Sequence, residues 1–133
     1  NSIEEVVDGA STVITMLPAG SHVRSVYLGD LHGGVGVLNL VSPSTLMIDC
    51  STIDPDSARL VANEAANKRV LFVDAPVSGG VAGAKAATLT FIVGGSDEAF
   101  SKANAILHSG GIGNFQMRIE LVACLVNGLK RCA

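Results

Sequence analysis

Alternation of short apolar segments with helical patterns is the feature that most constrains the fold of this chain. Turn residues bound each apolar segment, and the periodicity between them changes from strand-like to helical. Such alternation is typical of an α/β domain with a mostly parallel sheet and right-handed crossovers. We predict buried strands over residues 12–17, 44–51, 70–74 and 89–93, the last ended by Gly94 and Gly95, with no clear helix between the third and fourth strands.

Helix-start residues mark four helices between and around these strands. Ser2 and Glu5 have capping-box spacing, which predicts a short helix that ends near Gly9. Asp54 can cap a helix with Pro55 in its first turn. Two further helices are predicted over 21–28 and from Ser96 to 109–111, and residues 29–36 are predicted to form a loop.

Composition fits one domain and excludes several partners. The 133 residues are 48% apolar but only 4% aromatic, so the core must be aliphatic. A net charge of −3 with scattered basic residues gives no stripe for nucleic acid. No apolar run approaches the about 20 residues that span a membrane, and no leader sequence precedes the first helix. The three cysteines, Cys50, Cys124 and Cys132, lack metal or disulfide spacing, which favours a reducing compartment.

Three predicted loops follow the carboxyl ends of strands and form the candidate site. They are Leu17-Pro18-Ala19-Gly20, Ser51-Thr52-Ile53-Asp54 and Pro76-Val77-Ser78-Gly79-Gly80. In open α/β sheets, ligands bind beyond these strand ends. Hydroxyl groups and backbone N–H groups there suit phosphates, a ribose or a carboxylate. The alternative is ordinary turn chemistry, which favours the same residue types.

Other motifs do not supply a self-sufficient catalytic group. The glycine pairs at 34–36 and 111–113 follow helices rather than strands, so neither fits a dinucleotide fingerprint. The three histidines have no ligand spacing, and no metal site is predicted. Asp49 and Asp74 end strands, where we expect them to accept hydrogen bonds from loop backbone.

The segments TVITMLP, IDCSTIDP and DAPVSGGVAGAKAATLTFIVGG closely resemble, in this order, the β-hydroxyacid dehydrogenase family, above all its 3-hydroxyisobutyrate dehydrogenases. The resemblance covers roughly residues 1–108. It implies that residues 1–110 are part of an NAD-binding Rossmann domain, with residues 111–133 as a divergent tail. It also implies that the family's first βαβ unit and its C-terminal helical domain, through which two subunits associate, lie outside this chain.

The resemblance assigns roles to seven residues. Leu17, Pro18 and Thr52 match the family's cofactor contacts, and His22 falls where some relatives have a polar contact to the cofactor. Ser78, Gly79 and Gly80 match the turn that holds the substrate carboxylate. The implied reaction is oxidation of a small 3-hydroxy acid to its semialdehyde with hydride transfer to NAD, a mitochondrial step of valine breakdown in the nearest relatives.

Three departures from the family pattern affect the expected activity. The GxGxxG turn is not in this sequence. Ile119 or a neighbour stands where the family has its catalytic lysine, and Lys130 lies too far along the chain to take its place. Hence no catalytic residue is predicted. Ala87 replaces a glycine, which matters if the backbone there has positive φ.

Two further hypotheses remain open at this point. One is a truncated pseudoenzyme or interaction module, whose open sheet edge would pair with another chain. The other keeps the dehydrogenase chemistry with tartronate, glyoxylate or succinic semialdehyde as the substrate. As an isolated chain, the protein is expected to turn over little or no substrate.

Overall fold

The computed structural model describes residues 2–29, 34–108 and 124–125. Helices are α1 (Ile3–Val7), α2 (Gly20–Leu28), α3 (Pro55–Asn67), α4 (Gly80–Ala86) and α5 (Asp97–His108), with a 3-10 turn at Val37–Asn39. Strands are β1 (Thr12–Thr15), β2 (Leu46–Asp49), β3 (Leu71–Asp74), β4 (Val77–Ser78), β5 (Thr90–Phe91), β6 (Gly94–Gly95) and β7 (Cys124–Leu125). The predicted α/β class is confirmed. Within this part of the chain, no helix is long and apolar enough to cross a membrane.

Five strands form one mostly parallel sheet in the order β1-β2-β3-β6-β7. The pairs β1–β2 and β2–β3 are parallel, and their last residues, Thr15, Asp49 and Asp74, lie in register. β6 runs antiparallel to β3, and β7 runs parallel to β6. The first three strands therefore end at one edge of the sheet, which is where their loops begin.

The prediction for residues 89–93 is wrong in two respects. The segment contains only the short strand β5, which pairs antiparallel with β4 in a separate two-stranded sheet. The following Gly94 and Gly95 do not end a strand but form β6. Because glycine is depleted in strands, the sequence pattern favoured a stop. The link from β3 to β5 also contains helix α4, which the glycine- and alanine-rich sequence concealed.

Two apolar cores cover opposite faces of the sheet. Because side chains alternate along a strand, Met47 and Phe72 pack with α2 and α3, whereas the neighbouring Ile48 and Val73 pack with α5. All four residues of β2 are buried. Burial on both faces explains why the central strands have continuous apolar sequences.

The predicted helix starts are confirmed. Ser2 and Glu5 form a reciprocal capping box, and the Asp54 side chain accepts from the Ser57 N–H, with Pro55 in the first turn. Ser96 Oγ accepts from the Ala99 N–H. The predicted helix stop at residues 109–111 lies outside the described residues.

Close packing of α2 against α3 predicts that Gly20→Ala destabilises the fold. A Cβ atom at Gly20 would lie 2.5 Å from Asp54 Oδ2 and 2.6 Å from Ser57 Oγ. Both atoms are already fixed by hydrogen bonds at the start of α3. We expect a loss of roughly 1–3 kcal/mol in the free energy of unfolding, measured by urea denaturation. Ser25→Ala, an exposed change in the same helix, should alter it by less than about 0.5 kcal/mol; equal effects would contradict the packing argument.

Backbone strain at Ala87 predicts that a substitution there stabilises the fold. This residue ends α4 with φ 56° and ψ 40°, the left-handed conformation that its Cβ disfavours. Ala87→Gly should therefore raise the free energy of unfolding by about 0.5–1 kcal/mol, net of the greater entropy of unfolded glycine. Ala86→Gly, within the helix, should lower it by a similar amount. A stabilising effect at both positions, or at neither, would rule out strain at Ala87.

Candidate functional site

A hydrogen bond joins the loops that follow β1 and β2. The Leu17 N–H donates to Ser51 Oγ at 2.8 Å. Leu17 is half-buried against the core of α2 and α3, whereas Pro18, the next residue, and Thr52, which follows Ser51, are exposed. The first two predicted loops therefore form one surface at the carboxyl edge of the sheet, with an apolar side from Leu17 and Pro18 and a hydroxyl from Thr52.

A buried carboxylate lies beneath this surface. Asp49, the last residue of β2, is wholly buried. Its Oδ1 accepts from Thr15 Oγ1 at 2.9 Å, from Ser51 Oγ at 2.5 Å and from the Ser51 N–H at 3.2 Å. The expectation that Asp49 binds loop backbone is confirmed by the last of these bonds.

Helix α2 joins the same set of hydrogen bonds through Tyr27. Its hydroxyl lies 2.6 Å from Thr15 Oγ1, and its side chain is fully buried. Burial raises the pKa of Tyr27 far above its ordinary value, and Asp49 contributes in the same direction, so the hydroxyl stays protonated. We refer to Tyr27, Thr15, Asp49 and Ser51 as the Asp49 network. The sequence alone gives only a weak signal for this network, namely that Thr15 and Asp49 are polar residues within apolar strands.

His22 lies on the first turn of α2 and is exposed. The helix that carries it begins directly after the first loop, since Ala19 is its N-cap. Four of the predicted residues, Leu17, Pro18, His22 and Thr52, are therefore on the two joined loops or on the helix that continues one of them.

The third loop is positioned by other contacts. Ser78 ends β4, which pairs with β5, and the Ile92 N–H donates to the Pro76 carbonyl at 3.0 Å. Gly79 and Gly80 have φ of +127° and +56°, backbone conformations that side-chain-bearing residues rarely adopt. Ser78, Gly79 and Gly80 are all exposed. Their hydroxyl and backbone groups are accessible to a ligand.

Asp74 faces Asp49 across the parallel pairing of β2 and β3. Asp74 Oδ1 and Asp49 Oδ2 are both buried without a hydrogen-bond partner among the described residues. The expected bond from Asp74 to loop backbone is thus not seen at this oxygen. Burial, and secondly the negative charge of Asp49, raises the pKa of Asp74 to about 6.

Cys50 and the acidic residues do not form a reactive centre. Burial, with the nearby Asp49 and Asp74, raises the pKa of the Cys50 thiol to about 11, so it is a protonated, unreactive thiol at neutral pH. In the part of the chain that the structure describes, no group of three or more His, Cys, Asp or Glu residues could hold a metal ion. Residues 111–119, where the family lysine was sought, are outside that part.

A cavity beside α3 is separate from the predicted site. It has a volume of about 630 Å³ and lies between α3 and the strands β3 and β6. Its lining includes Ala58, Ala62, Phe72, Asp74 and Ile92, but none of the seven predicted site residues. This cavity therefore does not coincide with the candidate site.

An open, mostly parallel sheet whose exposed loops follow the strand carboxyl ends defines the class of nucleotide-binding α/β domains. Residues 1–123 match the family model described as "NAD binding domain of 6-phosphogluconate dehydrogenase". The chain belongs to this family of NAD-binding domains.

Curated relatives and solved structures agree with this assignment. The chain is 52% identical over 111 residues to a 3-hydroxyisobutyrate dehydrogenase of Pseudomonas aeruginosa, covering 84% of the chain and 36% of the relative. It is 44% identical over 125 residues to a probable mitochondrial 3-hydroxyisobutyrate dehydrogenase of Dictyostelium discoideum, covering 88% and 38%. A solved 3-hydroxyisobutyrate dehydrogenase of Mycobacterium tuberculosis with L-serine superposes with a TM-score of 0.78 at 40% identity, covering 94% and 38%. The chain thus spans little more than a third of the length of these proteins.

The raised pKa of Asp74 predicts a specific pH dependence. The ordinary pKa of an aspartate is 3.8, whereas that of folded Asp74 is about 6. Between these values the unfolded chain releases the proton and the folded chain keeps it, so this group lowers stability as pH rises from about 4 to 6. Asp74→Asn should abolish that component, and the stability of the variant relative to the parent should increase across the window.

Melting temperatures of both proteins at pH 4, 5, 6 and 7 measure this difference. Asp8→Asn, an exposed change, controls for the loss of one negative charge. A constant difference between Asp74→Asn and the parent from pH 4 to 7 would contradict the assignment.

Proposed function

We propose that this chain is the part of a dehydrogenase domain that receives the nicotinamide end of NAD and the carboxylate of a small 3-hydroxy acid. The observation that carries the proposal is the bond from the Leu17 N–H to Ser51 Oγ, which joins the two loops next to an exposed Thr52. The family match and the relatives named 3-hydroxyisobutyrate dehydrogenase support it.

The residues at the joined loops fit a nicotinamide ring. Leu17 and Pro18 supply an apolar side on which a flat ring can lie, and the Thr52 hydroxyl can hydrogen-bond a carboxamide. His22, on the adjoining turn of α2, can contact polar parts of the cofactor. When bound, NAD supplies the hydride acceptor, and the task of this chain is to orient the ring.

The third loop fits a carboxylate. Exposed N–H groups of Gly79 and Gly80 and the Ser78 hydroxyl are donors, and a carboxylate is a strong acceptor for such groups. L-serine is named in the solved structure of a similar protein, and it is itself a 3-hydroxy acid. We therefore propose a small 3-hydroxy acid of the 3-hydroxyisobutyrate type, with semialdehydes such as tartronate or succinic semialdehyde as alternatives.

Proton transfer is not assigned to this chain. Among the three loops the carboxylate is that of Asp54, which accepts hydrogen bonds from Ser57 at the start of α3, and Asp49 and Cys50 are buried beneath the loops. We propose that the chain as given binds the two ligands with little or no turnover. By resemblance to the Dictyostelium protein, whose name places it in mitochondria, we propose the same compartment.

A second candidate function rests on β1. This strand lies at the end of the sheet order, and Ile14 and Met16 are 40% and 71% exposed. An open strand edge beside exposed apolar side chains favours pairing with another strand. An interaction module would associate through β1 whether or not ligands are present, so light scattering without ligands distinguishes it.

Amide chemical shifts test the proposed function even if binding is weak. In ¹H–¹⁵N spectra, NADH should shift the amides of Leu17 and Thr52, and 3-hydroxyisobutyrate should shift those of Ser78–Gly80. Ser78→Ala should weaken binding of the acid by about threefold to tenfold, because one charged hydrogen bond is lost, and should leave NADH binding unchanged.

Ser101→Ala, an exposed change on α5, is the matched control and should leave both titrations unaltered. Shifts that are absent at saturating ligand, or that cluster away from the three loops, would contradict the proposal. Association in the absence of both ligands, with no shift at the three loops when either is added, would favour the interaction module.

A further inference from the structure

We propose that Asp49 is a positioning residue that holds the Leu17–Pro18 loop, Thr52 and helix α2 in the arrangement that receives the nicotinamide. This inference rests on the proposed function. It assigns a role to a residue that contacts no ligand and that acts through Ser51 and Thr15.

The position of Asp49 is difficult to explain by stability alone. Its side chain is wholly buried, and while Oδ1 accepts three hydrogen bonds, Oδ2 has no partner among the described residues. A buried carboxylate that is only partly hydrogen-bonded costs free energy, and well-packed apolar replacements are often neutral or stabilising. Asp74, on the next strand, adds an unfavourable like charge. The fold therefore keeps a costly group whose bonds all lead toward the two loops.

Ser51 transmits the effect of Asp49 to the first loop. A serine hydroxyl has one hydrogen, and Ser51 donates it to Asp49 Oδ1 at 2.5 Å. The oxygen lone pairs are then free to accept, and the Leu17 N–H donates to them at 2.8 Å. Asp49 thus sets the direction in which Ser51 can accept, and through it the position of the Leu17 backbone.

Thr15 transmits the effect to helix α2. Its hydroxyl hydrogen is also donated to Asp49 Oδ1, so the 2.6 Å contact with Tyr27 must have the tyrosine as donor. Tyr27 is fully buried, and it fixes the helix whose first turn carries His22. One carboxylate oxygen therefore determines the hydrogen-bond directions on both sides of the proposed cofactor surface.

Two substitutions at Asp49 separate positioning from folding. Asp49→Leu removes every acceptor and replaces the carboxylate with a larger apolar side chain, and we expect the chain to remain folded while the Kd for NADH rises about tenfold. Asp49→Asn keeps one acceptor oxygen for Thr15 and Ser51, and it should restore the Kd to within about threefold of the parent. In the ligand-free leucine variant, the amide shifts of Leu17 and Thr52 should move while those of Ser78–Gly80 do not.

Ser51→Ala provides a milder variant should Asp49→Leu fail to fold, and we expect a smaller increase in the Kd with the Leu17 amide again shifted. Thr45→Val is the matched control, because it removes a buried hydroxyl at the other end of β2 that bonds to the Ala10 carbonyl. It should lower stability without changing the Kd for NADH. Circular dichroism and urea denaturation monitor folding throughout.

The outcomes distinguish this inference from the proposed function. If the parent binds NADH and the folded Asp49→Leu or Ser51→Ala variant binds it equally well, the positioning role is wrong and the proposed function stands. If Asp49→Asn weakens NADH binding as much as Asp49→Leu does, the positioning role is also wrong, because binding then does not depend on the acceptor oxygen. If the parent itself does not bind NADH, the proposed function fails, and the positioning role fails with it.

Discussion

The in-register parallel pairing of β1, β2 and β3 is the constraint on which the rest of the structure depends. It brings Thr15, Asp49 and Asp74 level with one another at one edge of the sheet. Each chain segment that leaves this edge must then turn into a loop, because the strands end together. Backbone pairing thus creates the candidate site before any side chain is considered, and the side chains decide only what that edge can bind.

The same register creates an electrostatic cost. Asp49 and Asp74 lie on one face of neighbouring strands, and burial together with the charge of Asp49 keeps the pKa of Asp74 at about 6. To move Asp49 and Asp74 apart, the pairing of β2 with β3 would have to slip by one residue. Such a slip would turn each apolar side chain of the strand toward the opposite core. The two cores therefore fix the register, and the register fixes the carboxylate pair. An apolar pair in place of the two aspartates would make this edge more stable. It would also remove the hydrogen bonds that connect Asp49 through Ser51 to the first two loops.

Sequence patterns predicted the elements whose local and tertiary preferences agree. The capping residues Ser2 and Asp54 and the apolar strand β2 are examples, since helix starts and doubly buried strands both have strong local patterns. β6 could not be predicted, because Gly94 and Gly95 acquire strand conformation only by pairing with β3. Turn chemistry and family resemblance selected the seven candidate residues, and their roles in binding remain predictions. The bonds among Tyr27, Thr15, Asp49 and Ser51 depend on inter-strand register, which one sequence does not specify.

The candidate site and the cavity beside α3 are different parts of the molecule with different chemistry. The cavity beside α3 is mostly apolar, and the unpaired Oδ1 of Asp74, which lines it, is itself buried. Its lining also includes the polar residues Arg59, Asn63 and Arg69, but none of the seven residues of the proposed site. The loops at the strand carboxyl ends offer the Thr52 and Ser78 hydroxyls and the backbone of Gly79 and Gly80, all on exposed residues. Because specificity for a small polar ligand comes from a few accessible donors held in fixed positions, the proposed site is at these loops, where the proposed role of the buried Asp49 is to position the first two of them.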